Sequence, residues 1–194
     1  MTTDTMTEIA SRVLSFWFDE AASDLAADGG YLMQWFVADD AFDAAIRDGF
    51  EGDVAAAARG ELNELASTAE GCLALIILLD QFPRNLFRGT SQAFATDGHA
   101  KKITETAIEN GFDRALGRFR RMFLYLPFEH SEDINDQVRS VELFRALGND
   151  NTYRYALEHH YVISRFGRFP TRNAALGRQS SEEEQDFLDG FEAF

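Results

Sequence analysis

Glu129-His130-Ser131-Glu132 sets an imidazole, the side chain that titrates nearest neutral pH, between two carboxylates. That composition suits general acid–base chemistry, with Glu129 or His130 as the group that moves a proton. The same tetrapeptide serves a plainer purpose. Ser131 is a natural N-cap and Glu132 suits the positive end of a helix dipole, so the residues also read as the start of a helix.

Two further stretches, Phe82-Pro83-Arg84-Asn85 and Phe169-Pro170-Thr171-Arg172-Asn173, place an arginine and an asparagine behind a Phe-Pro pair. Planar guanidinium groups at Arg84, Arg88, Arg165, Arg168 and Arg172 suit carboxylates or phosphates, and Asn85 and Asn173 could fix a ligand's orientation. Capping competes here too, because arginine near a helix C-terminus satisfies orphan carbonyls. Asp80 tips the balance. A carboxylate at the C-terminal end of an apolar helix faces the wrong end of the dipole and needs a cation, with Arg84 or Arg88 nearest in sequence.

The elements that must position these groups are helices. In residues 131–147, Ile134, Val138, Val141, Phe144 and Leu147 recur every three or four positions, which predicts an amphipathic helix with Ser131 as N-cap and Gly148 after its end. Similar periodicity predicts helices over 7–18, 39–50, 53–66, 68–82, 92–110, 114–125, 150–167 and 180–190. No run alternates like a strand. The expectation is one all-α domain over residues 1–194, an antiparallel bundle or array of about eight helices. Each of the three prolines follows an apolar helix and should end it, so the polar groups behind all three converge if those ends share a rim.

On the helix over 150–167, Arg154, Glu158, Tyr161, Arg165 and Arg168 form a polar stripe. His159 falls on the apolar face with Tyr155, Val162 and Phe166, where a hydrogen-bonded core histidine is expected. The aromatic groups at 16–18 (FWF) and 34–36 (QWF) are expected to anchor the core rather than wall a groove.

Composition narrows the classes. A net charge of −15 argues against nucleic acid and anionic membranes as partners, although residues 84–178 hold 15 of the 18 basic side chains. The longest apolar run, Cys72–Leu79, is far below the roughly 18 residues of a membrane span. The absence of a leader pattern and the single Cys72 favour the cytoplasm. HExxH, GxSxG, the P-loop and GxGxxG are all missing, so no metal and no cofactor are expected.

The stretches LDQFPRNLFRG, AFATD, YLPFEHSE and RFGRFPTRNAALGR, with the early FWF and the late SSEEEQDFL, resemble the bacterial family catalogued as domain of unknown function 924. The resemblance implies a fold similar to tetratricopeptide repeats, and no transferable activity. It implies that the family's motif positions are here Asp80, Gln81, Pro83, Arg84, Asn85, Arg88, Glu129, His130, Ser131, Glu132, His159, Arg165, Gly167, Arg168, Pro170, Arg172 and Asn173. Thr171 stands where the family pattern has His, so chemistry relying on that His would be missing.

Three functions compete. The first is a helical binding module for a small anionic molecule or an acidic peptide end, using Asp80, Arg84, Asn85, Arg88, Glu129, His130, Glu132, His159, Arg165, Arg168, Arg172 and Asn173. The second is a metal-independent hydrolase or isomerase with Glu129 or His130 as acid–base group. The third is a scaffold whose motifs only fasten helix ends, with a protein partner elsewhere on its surface.

Overall fold

The computed structural model describes residues 3–18, 35 and 37–190. Its helices are α1 (Thr3–Phe18), α2 (Asp40–Ala58), α3 (Ala69–Ile76), α4 (Phe82–Leu86), α5 (Asp97–Glu109), α6 (Arg118–Glu129), α7 (Ile134–Leu147), α8 (Asp150–Phe166) and α9 (Glu182–Asp189). A π-helical turn, Ile77–Gln81, fuses α3 to α4, and there is no strand among the described residues. None of these helices is long and apolar enough to cross a membrane.

The centre is α3, whose residues Cys72 to Leu79 into the π turn are all fully buried. It packs against α1, α5 and α6, while α5, α6, α7 and α8 pack each on the next, a stacking compatible with a tetratricopeptide-like array. Trp17, Trp35, Phe82 and Phe123 interlock edge-on at centroid distances of 4.8 to 5.7 Å, so this part of the core is aromatic. Of the predicted aromatic groups, Trp17, Phe18 and Trp35 are core residues; Gln34 and Phe36 lie outside the described residues.

The approach of the 3-10 turn Asn63–Ser67 to α3 depends on Gly71. A Cβ there would stand 1.9 Å from the Leu65 carbonyl oxygen, a backbone atom that cannot swing aside. Gly71→Ala is therefore expected to cost about 3 kcal/mol, read as a lower urea midpoint.

Several sequence expectations need correcting. The helices predicted over 39–50 and 53–66 are not two, because the backbone stays helical past residue 52 and α2 runs unbroken from Asp40 to Ala58, followed by the 3-10 turn Asn63–Ser67. The N-cap of α7 is Asp133, which accepts from the Asn135 amide, and not Ser131, whose hydroxyl goes to Asp136. The first half of α7 also turns the other way: Ile134 and Val138 are 41% and 46% exposed, and the buried face carries Gln137 and Ser140. Gln137 is drawn inward because its amide donates to the Phe128, Glu129 and Ser131 carbonyls, groups left over where α6 ends.

Two of the three prolines do not end their helices. Pro127 lies inside α6, which runs on to Glu129, and Pro83 sits at the start of α4 just after the π turn. The wide turn gives the proline ring room, with the Phe82 amide reaching back to the Ile77 carbonyl. It also turns the Leu79 and Asp80 carbonyls toward side-chain donors: the Thr96 hydroxyl takes the first and the Arg84 guanidinium the second at 2.7 Å. Pro170 follows a helix that has already ended, opening a 3-10 turn after α8 has stopped at Gly167, whose φ of 68° suits glycine.

Candidate functional site

The π turn carries Asp80 inward, fully buried, with a charge that must be compensated within the fold. His130, at the C-terminal cap of α6, approaches with Nδ1 2.7 Å from Asp80 Oδ1. Arg84, one turn after Asp80, places NH1 3.1 Å from the same oxygen and forks onto Asp97, the first residue of α5, at 2.9 and 3.0 Å. Arg172, on the 3-10 turn after Pro170, donates to Asp97 at 3.2 Å and to the His130 carbonyl at 2.9 Å. Arg84, His130 and Arg172, one from each proline motif, are thus joined through Asp80 and Asp97 in a single half-buried rim.

Aromatic rings fix the arginines. Arg172 stands 4.6 Å from the Phe94 ring centre and 4.7 Å from that of Phe169, and Arg84 stands 5.6 Å from Phe94. Phe169 also packs edge-on against His159 at 5.5 Å, and the His159 and His130 rings lie 6.4 Å apart. His159 Nδ1 donates to the Tyr155 carbonyl at 2.9 Å and sits 3.6 Å from Glu129 Oε1, too far for a hydrogen bond. Glu129 itself is 4% exposed, and its Oε2 is buried with no hydrogen-bond partner.

These surroundings separate the titrations. Burial pushes the Glu129 carboxyl up to about 8, reinforced by the charges of Asp80 and Glu158. Burial would also raise Asp80, but Arg84, His130 and its hydrogen bonds outweigh it and hold that carboxyl well below the usual range. His130 is lowered by burial and by Arg84, against the pull of Asp80, and His159 falls to about 4, chiefly through burial. Arg172 is brought down to about 10 by burial and by the neighbouring Arg84. At neutral pH the rim holds an ionised Asp80, neutral imidazoles and a protonated Glu129.

Other residues singled out in the sequence stand apart from this rim. Asn85 and Arg88 both bind Asp43 on α2, Arg88 through two bonds of 2.8 and 3.1 Å. Glu132 takes a two-pronged Arg178 at 2.7 and 2.9 Å and accepts the Phe169 amide. Asn173 bridges Arg178 to Ser180, Arg168 forks onto Glu184, and Arg165 binds Glu183, so these side chains fasten α9. Thr171 is exposed on the turn beside Arg172. The five arginines do not share one pocket: Arg84 and Arg172 meet, and the other three bind carboxylates of α2 and α9.

Sequence reasoning gave no role to Asp97, Phe94 or Gln137. Asp97 and Phe94 were within sight, since both belong to the AFATD stretch, but an acid at the start of a helix looks like a dipole partner and nothing local shows which cations lie across from it. Among the described residues no cluster of three or more His, Cys, Asp or Glu is arranged to hold a metal ion.

A family model for a bacterial protein of unknown function, DUF924, matches residues 13–191. A solved structure of a protein of unknown function, ATU0120 from Agrobacterium tumefaciens, is similar at 40% identity and a TM-score of 0.85, over 95% of this chain and 99% of that one. No curated protein matches.

Proposed function

Since the chain belongs to the DUF924 family of bacterial proteins, whose function is unknown, we propose from its geometry that the rim holds a small anionic molecule by Arg172. The observation that carries this is an imbalance among the arginines. Arg84, Arg88, Arg168 and Arg178 each grip a carboxylate with two nitrogens. Arg172 has only a 3.2 Å contact to an Asp97 oxygen that Arg84 already holds, plus one backbone carbonyl.

Two of its five N–H groups are therefore used, and the others can take a carboxylate or phosphate oxygen. Its lowered pKa has the same origin, a buried cation beside another cation without a full counter-charge. Phe94 and Phe169 hold the guanidinium plane in place before any ligand arrives, which reduces the ordering cost of binding.

Inorganic phosphate and pyruvate are suitable probes. At ten times its Kd either should add about 1.4 kcal/mol, a rise of about 3–5 °C in Tm for a chain of this size. Arg172→Met should abolish the rise and Arg88→Ala should leave it intact. A rise that survives in Arg172→Met, or no rise with either probe in the unaltered protein, refutes the reading.

A further inference from the structure

We infer that the same rim is a proton-transfer site, in which His130 Nε2 is the base and Glu129 the acid, acting on a carbonyl compound that carries a carboxylate. The base is defined by geometry. Asp80 accepts from Nδ1–H at 2.7 Å, which fixes the tautomer and leaves the lone pair on Nε2. The acid is defined by an unmet need. Glu129 is more than nine-tenths buried with Oε2 unpartnered, an arrangement that disfavours folding and that a substrate oxygen would relieve.

Neither group is committed elsewhere. The His159 imidazole nearest Glu129 already gives its Nδ1 proton to Tyr155, and the Gln137 amide holds the Glu129 backbone, not its side chain. The nearby Ser131 hydroxyl donates to Asp136 and so is not activated by His130, which favours proton movement over acyl transfer. The charged and titratable groups facing the pair are Asp80 from the π turn, Arg84 from α4, Asp97 from α5, Glu158 and His159 from α8, and Arg172 from the last 3-10 turn. Together they leave His130 neutral and Glu129 protonated near pH 7, the states that a base and an acid require.

The step balances without a co-reactant. His130 Nε2 takes a proton from the carbon next to the carbonyl, and the C–H electron pair becomes the new C=C bond. The carbonyl π pair moves to oxygen, which takes the Glu129 proton. The product is the enol; in the reverse step the Glu129 carboxylate takes back the hydroxyl proton and the imidazolium protonates the same carbon, which restores both the site and the carbonyl compound with solvent hydrogen exchanged into that carbon. Because Arg172 donates to the His130 carbonyl, a carboxylate on its guanidinium would sit close to the imidazole.

This inference rests on the anion reading only for the substrate's carboxylate. The test is exchange of the C3 protons of pyruvate and 2-oxobutyrate in D2O, followed by proton NMR with the full-length chain. Exchange should exceed the buffer rate and fall by about 100-fold or more in His130→Asn, which retains a donor for Asp80 but has no base. Glu129→Gln should lower it similarly, with circular dichroism confirming that both variants fold. No exchange above buffer with either probe, or exchange unchanged in His130→Asn, overturns the inference. An Arg172-dependent Tm rise without exchange would sink the proton chemistry alone; exchange without such a rise would sink the anion anchor alone.

Discussion

Replacing Asp80 with alanine is expected to cost the fold about 3–5 kcal/mol at neutral pH. Its carboxylate is fully buried and is the shared partner of Arg84 and His130, with the Gln81 amide also donating to it. Without it, Arg84 keeps Asp97 but loses half its compensation, and His130 Nδ1–H loses its acceptor. The sign of the pH dependence follows from the depressed pKa. The stabilisation is present above the ordinary value of 3.8 and is lost as pH falls below it, because only the unfolded chain then takes up the proton readily. The gap between the unaltered protein and Asp80→Ala should therefore be full at pH 7 and narrow steadily below pH 4. Urea unfolding across that range measures it.

Glu129→Gln should do the opposite and stabilise the protein, by about 3 kcal/mol at pH 7. Glu129 is raised from 4.5 to about 8, so between those values the unfolded chain releases a proton that the native state retains. Stability falls with rising pH over that window and levels off above 8. Glutamine keeps the shape and cannot ionise, so the variant's advantage should be small at pH 4.5 and greatest at pH 8. His159 acts in the other direction. Lowered from 6.5 to about 4, it costs stability as pH falls through that interval, and the unaltered protein should be most stable between the two slopes, near pH 5–6.5. A residue that weakens the fold at working pH is expected where function has set its environment.

The fold was largely readable because helical periodicity is local: the spacing in α8 and the glycine after it gave both ends within a residue. Where reading failed, a nonlocal partner had overridden the pattern. Ile134 and Val138 looked like core, yet the carbonyls at the end of α6 drew Gln137 inward and rotated that face to solvent. Pro83 looked like a stop, yet the π turn and a hydroxyl 13 residues further on, Thr96, absorbed the backbone group it displaced. The convergence of three proline motifs could be anticipated from their shared composition. Which arginine is left to share another's carboxylate could not, because Asp43, Asp97, Glu132 and Glu184 reach their partners only through tertiary packing.

The imidazole nitrogens of His130 offer the most direct measurement. With 15N-labelled protein followed from pH 4 to 9, its ring should remain the Nδ1–H tautomer at neutral pH, titrate below the ordinary 6.5, and lose that tautomer preference in Asp80→Asn. An Nε2–H ring titrating at 6.5 or above, indifferent to Asp80, would mean that the rim neither orients nor tunes the base, and the account of the site would fall with it.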